Sequence, residues 1–327
     1  MREDMGRPTV GDRTRAVRLI EGDLSVVGRV IEGGLPEARG ASAGELVQRG
    51  ARRLERAGSA SARLDAELLL GHVSGWSRVD VLAHPERRVS QAVERAFDAL
   101  VARREQSEPM AYILGQREFY GRMFRVDRRA LIPRPETELL VDLGKTAVAR
   151  WRAAGVEPTV VDVGTGSGAI AVSLAAEARV KVIATDVSVD ALRLAQQNAQ
   201  DHQASVSLTA SDLLRGVRGP LHVVLANLPY VPAYRELPRD VRDYEPPLAL
   251  FGGTRGTELI ERLLAEAQPL LAPGAEIAVE LDEEDQAQPV AALAHELYGK
   301  SAEVSVCQDA GGYDRVVRVA LSRRPAP

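Results

Sequence analysis

The stretch "VVDVGTGSGAIAV", residues 160–172, limits what this chain can fold into more than any other. A short β-branched run is followed by glycines at every second position, Gly164, Gly166 and Gly168, and then by an apolar run of helix formers. Glycines so spaced let the backbone adopt positive φ and approach a ligand at the C-terminal end of a strand, where open α/β sheets bind. Strand and helix patterns then alternate through "KVIATDVS", "VDALRLAQQNAQDH", "SVSLTASDLL" and "LHVVLANLPY". That order predicts an α/β fold, a mostly parallel sheet with helices on both faces. The closing strands "AEVSVCQD" and "DRVVRVAL" are close enough for a hairpin, and an antiparallel edge pair suits a methyltransferase sheet better than a nicotinamide-binding one.

Upstream the pattern changes. Residues 1–40 mix charge, glycine and short apolar pieces and are expected to be a mobile extension. Residues 41–106 show apolar positions at three-to-four spacing, with Ser42, Ser61 and Ser90 available as N-caps, which predicts a bundle of about four helices. Residues 107–144 form a hairpin and linker: "EFYGRMFRVD" alternates, and the Pro-flanked "LIPRPETE" reads as a fixed turn entering a helix. Residues 145–327 are then the catalytic domain.

Composition excludes several classes. The net charge of −4 gives no global basic field, so extended nucleic-acid binding is disfavoured. Cys307 is the only cysteine, which excludes an internal disulfide framework, and its strand-like setting predicts a small buried core residue. The five histidines, His72, His84, His202, His222 and His295, are dispersed and imply no metal site. No segment approaches the ~18 apolar residues of a membrane span. A cytoplasmic, monomeric protein is expected.

The chemistry concentrates at strand ends. Gly164, Thr165, Gly166, Ser167 and Gly168 would form a ligand cradle of a kind shared by nicotinamide enzymes, flavoproteins and methyltransferases. Asp186, about twenty residues further on, can accept both vicinal hydroxyls of a ribose, or else cap the next helix, a role Ser188 can also fill. Asp212 could meet an adenine amino group and Leu213 cover the ring, although either could be plain loop. The tetrad Asn227, Leu228, Pro229 and Tyr230 points to nitrogen methylation. An amide or exocyclic amine is a poor nucleophile, so its NH2 must be held by both hydrogens: here by the Asn227 oxygen and the Leu228 carbonyl. Pro229 stiffens the turn and Tyr230 offers a flat ring to a planar substrate and a cationic sulfur, with Asn227 bordering the cofactor too. Glu245, in "YEPPLALFGG", is either a wall residue of the pocket or a solvated loop carboxylate.

With these residues in place the chain resembles the release-factor glutamine methyltransferases, the HemK/PrmC family. The likeness runs from about Ala41 to Leu321 through "PMAYILGQREFYGRMFRV", "LIPRPETELLVD", "VVDVGTGSGAIAVSLA", "NLPYVP", "YEPPLALFGGTRG" and "DAGGYDRVVRV". It implies an S-adenosylmethionine-dependent, Rossmann-like seven-stranded sheet behind a helical domain that recognises the substrate protein. It also implies the cofactor S-adenosyl-L-methionine and methylation of the glutamine amide in the Gly-Gly-Gln loop of class I peptide chain release factors. Leu228 stands where the family usually has Pro, and Asp282 where it commonly has Gly. The alternative is an adenine-N6 methyltransferase acting on ribosomal RNA, whose tetrad "NLPY" also resembles. The mild acidity of this chain and its "LIPRPETE" segment argue against that. A scaffold that binds cofactor without catalysis would not need the tetrad.

Overall fold

The computed structural model describes residues 40–282 and 285–323, so the extension expected over residues 1–40 lies outside the described residues except for Gly40. The N-terminal region is helical: α1 (Ala43–Arg56), α2 (Ala62–Ser74), α3 (Arg78–Ala83), α4 (Gln91–Glu105) and a short α5 (Met110–Leu114). Ser42 caps α1 in a reciprocal box with Glu45, and Ser90 caps α4 through the Val93 N–H. Ser61 precedes α2 but makes no capping bond, because its hydroxyl donates to Asp65 instead. Leu46, Leu54, Leu69, Leu70 and Phe97 are fully buried between these helices. Each contributes about 1.5–3 kcal/mol of burial.

The hairpin β1 (Gln116–Phe119) and β2 (Arg122–Arg125) turns through Tyr120 and Gly121, both left-handed at φ 51° and 70°, as a two-residue type I′ turn requires. Its buried Phe119 and Phe124 meet edge to face at 6.0 Å and belong to the core of the following domain. A 3-10 turn at Pro135–Thr137 leads into α6 (Glu138–Ala153), a single helix that runs across the expected boundary at 144/145. Its Leu140, Val141, Ala147 and Val148 pack into the same core as Val160, so its apolar stripe belongs to the sheet.

The remaining elements are β3 (Val160–Val163), α7 (Ala169–Ala178), β4 (Val182–Asp186), α8 (Val189–Asp201), β5 (Val206–Ala210), β6 (Leu221–Ala226), β7 (Val231–Pro232), α9 (Arg239–Arg242), β8 (Phe251–Gly253), α10 (Glu258–Ala267), β9 (Leu271–Glu280), α11 (Ala287–Tyr298), β10 (Ala302–Gln308) and β11 (Asp314–Leu321). Seven of the strands form one sheet in the order β10-β11-β9-β6-β3-β4-β5. From β9 to β5 all neighbours are parallel, and β11 runs antiparallel to both β9 and β10. Alternation divides the strands between two cores. Val160, Val223 and Leu225 face α6 and α7, while Val161, Val224 and Ile277 face α10 and α11. The sheet thus has a packed helical layer on each side.

Cys307 departs from the expectation of a buried core residue. It is half-buried on β10, which pairs with β11 alone at the edge of the sheet, and its thiol is free. An edge strand has no second neighbour to cover it.

Candidate active site

The sheet's C-terminal edge opens into a cavity of about 430 Å³, within the range of small-molecule sites. Its lining brings together Gly164, Thr165, Gly166, Ser167, Asp186, Asp212, Leu213, Asn227, Leu228 and Pro229, drawn from the loops after β3, β4, β5 and β6. The turn after β3 needs its glycines. Gly164, Gly166 and Gly168 have φ of 74°, 56° and 83°, and a Cβ on Gly164 would lie 2.8 Å from the Leu228 Cδ2. Gly168 lies against α8 and does not line the cavity; a Cβ there would come within 3.1 Å of the Ala195 Cβ.

Behind this turn Asp162 is wholly buried and braces it, accepting from the Thr165 hydroxyl at 2.6 Å and the Ala171 N–H at 3.2 Å. Burial pushes its carboxyl up to about 7, against the lowering effect of those two bonds. Asp186 ends β4 and accepts from Gly166 N and Ser188 N, both at 2.8 Å, so the carboxylate is held in the cavity wall. Ser188 caps α8 through Ala191 N, so Asp186 is not needed as the cap. Burial raises the Asp186 pKa, and the backbone bonds oppose the rise.

Asp212 is already engaged: Arg262, across the cavity on α10, donates to it at 2.9 Å, and Arg215 lies 3.5 Å away. Leu213 is buried with a left-handed backbone at φ 53°, an uncommon conformation for Leu.

In the tetrad the Asn227 Nδ2 donates to Thr137 Oγ1 at 3.0 Å, which turns its amide oxygen away from Thr137. The Leu228 side chain is 5% exposed and packed on Gly164, so more than its carbonyl is engaged. Tyr230 is placed differently from the expected exposed ring. It is absent from the described lining residues, packs on the core beneath, and donates its hydroxyl to Glu280 Oε1 at 3.3 Å. Burial, and then the charge of Glu280, push its phenol up.

Glu245 is not a solvated carboxylate. It is 3% exposed, accepts from Ile132 N at 3.1 Å and from Arg134 at 2.5 Å, and so clamps "LIPRPETE" from behind, while Ala130, Pro133 and Arg134 line the cavity. Asp282 pairs with Arg235 and lies outside the lining. Residues that sequence reasoning missed are Thr137, Arg262 and Glu280. Their partners lie 90, 50 and 50 residues away, and no local pattern marks them. The residues fit a nucleoside cofactor: a glycine turn open to the cavity, a fixed carboxylate beside it, and an apolar patch at Leu213.

The family described as PrmC N-terminal domain matches residues 45–115, and the Methyltransferase small domain matches residues 138–237. The release factor glutamine methyltransferase of Koribacter versatilis is 38% identical over 279 residues, covering 84% of this chain and 95% of that protein. The protein of the same name from Deinococcus radiodurans is 37% identical, over 84% of this chain and 96% of its own length. A solved structure titled protein-(glutamine-N5) methyltransferase (release factor-specific), from Alicyclobacillus acidocaldarius, aligns at a TM-score of 0.37 with 29% identity, covering 61% of this chain and 99% of that one.

Proposed function

The chain belongs to the release factor glutamine methyltransferase family, and from that premise we propose that its cavity binds S-adenosylmethionine and presents a glutamine side-chain amide of a class I release factor to it. When bound, the cofactor supplies an electrophilic methyl group on a cationic sulfur. The glycine turn admits its backbone-facing part, Asp186 accepts from the ribose hydroxyls, and Leu213 covers the base. Asp212 serves the adenine amino group only to the extent that Arg262 shares it.

The observation that carries the reading is the orientation of Asn227 at the cavity wall. With Nδ2 given to Thr137, the oxygen is available to accept one hydrogen of the substrate NH2, and the Leu228 carbonyl accepts the other. Held so, the nitrogen keeps a lone pair directed at the methyl, and catalysis comes mainly from positioning and exclusion of water. Tyr230 acts from beneath as a support of the tetrad. The helical bundle lies outside the cavity lining and is assigned to recognition of the substrate protein. A substrate of the translation machinery fits a cytoplasmic site of action.

The test is incubation with methyl-labelled S-adenosylmethionine and either a release factor or ribosomal RNA. Label on a glutamine of the release factor is expected, and Asn227→Ala should lower that turnover by about 100-fold or more with docking nearly intact. Label on RNA alone would overturn the assignment.

A further inference from the structure

We propose that Arg262 is a positioning residue for the base of the cofactor: it pins the Asp212 carboxylate by one oxygen and leaves the other for the adenine amino group, which makes α10 part of the nucleoside site. The inference rests on the reading above, in which Asp212 meets the adenine.

The backbone that carries Asp212 is already fixed. Ser211 N donates to the Asp186 carbonyl at 2.9 Å, and Arg215 N to the Asp212 carbonyl at 3.2 Å. The Ser211 hydroxyl donates to the Arg215 carbonyl at 2.6 Å, and Leu213 is buried in its left-handed conformation. What remains free is the Asp212 side chain, which lines the cavity at 37% exposure. A loop carboxylate can change rotamer and offer a ligand either oxygen or neither.

Both cations beside it settle on the same oxygen. Arg262 Nη2 donates to Oδ2 at 2.9 Å, and Arg215 Nη1 lies 3.5 Å from that oxygen. Oδ1 has no hydrogen-bond partner among the described residues. Arg262 is itself held by Glu266, one turn further along α10, at 3.4 Å from the same nitrogen. Leu259, about one turn before it, lines the cavity too, so α10 presents an apolar side chain as well as a cation to the site.

A carboxylate can only accept. With Oδ2 taken, Oδ1 accepts from the amino group of adenine, whereas a base with a carbonyl oxygen in its place brings a second acceptor against it. Arg262 does not compete with the ligand, because it uses the other oxygen. Fixing the carboxylate therefore fixes the choice of base, adenine over hypoxanthine.

The experiment is calorimetric titration of the full chain with S-adenosylhomocysteine and with S-inosylhomocysteine, whose base carries that oxygen. Wild type should bind the adenosyl ligand about 100-fold more tightly. Arg262→Ala should lose about fivefold of the preference through weaker adenosyl binding, the effect expected of one partly exposed ion pair. Arg262→Lys, which keeps the charge, should stay within about twofold of wild type. The Arg262 side chain is 42% exposed, so its loss opens no hole in the core. An unchanged preference in Arg262→Ala overturns the inference. So does equal weakening of both ligands, the mark of a merely structural role, or tighter adenosyl binding, the mark of competition for Asp212. A preference that survives Asp212→Ala, or is absent from wild type, overturns instead the reading that places the base there.

Discussion

The two most deeply buried carboxylates of the helical bundle and the two of the catalytic domain are satisfied differently. In the bundle, Asp65 and Glu67 are 3% and 2% exposed, and each of their oxygens has a donor. Ser61 reaches one Asp65 oxygen, Ser59 and Arg104 the other, while Arg63 and Arg78 take one Glu67 oxygen each. In the catalytic domain, Asp162 and Glu280 are 0% and 1% exposed, and each keeps one oxygen with no partner among the described residues. An unmet buried acceptor costs about 1–3 kcal/mol. The bundle spends its carboxylates on holding helices together. The domain with the cavity tolerates the cost behind its glycine turn, at Asp162, and beside Tyr230, at Glu280.

Titration should separate the two regions most strongly. Asp162 and Glu280 have folded pKa values of about 7, above their ordinary values of 3.8 and 4.5. Their protonated forms stabilise the fold below the ordinary values, and that stabilisation is lost as pH rises toward 7, by about 1.4 kcal/mol per pH unit for each group. In the bundle the hydrogen bond from Arg53 holds Glu105 low, so its contribution is present above the ordinary carboxylate range and lost only as pH falls through the depressed value. Trp76 lies in the bundle and Trp151 in the catalytic core. Urea unfolding followed by Trp151 fluorescence in Trp76→Phe should therefore give a midpoint that drops between about pH 5 and about pH 8. A flat midpoint would remove the contrast.

Asp186→Ala comes next. Loss of the carboxylate that also fixes Gly166 and Ser188 should weaken cofactor binding by about 2–4 kcal/mol, measured by calorimetric titration. Wild-type affinity would remove Asp186 from the site. On the bundle side, Asp65→Ala leaves the 16%-exposed Arg104 side chain without its carboxylate and should cost about 2 kcal/mol of stability, with cofactor affinity unchanged. A weakened cofactor site in that variant would mean that the two regions are energetically coupled. The smallest effect is expected for Leu228→Pro. From the sequence only the carbonyl of residue 228 matters, but the buried Leu side chain packs on Gly164, so proline should cost about 1 kcal/mol of stability while keeping most turnover. A stabilised Leu228→Pro would show that this contact adds nothing.

Much of the fold was legible because the rules that specify it act over short spans. Ser42 and Ser90 cap helices within one turn, the alternation in "EFYGRMFRVD" marks the hairpin, and the order of strand and helix patterns marks the sheet. The cradle was legible too, since Gly164 and Gly166 are needed by the turn itself, and Asp186 follows at the end of the adjacent strand. Where such rules compete, the outcome was hidden: Ser61 gave its hydroxyl to Asp65, and the expected boundary at 144/145 fell inside α6.

What the sequence alone determined, then, is the order of elements, the glycine turn and the presence of the tetrad, all consequences of backbone geometry and of periodicity within a few residues. The tertiary structure decided which way those groups face. Thr137 meets Asn227, Glu245 meets Arg134 and Tyr230 meets Glu280 across 90, 111 and 50 residues, because loops distant in the chain converge at one edge of the sheet. A hydroxyl, an amide or a phenol offers the same donors and acceptors in any sequence, and its direction is set only by the buried partner that packing brings within reach.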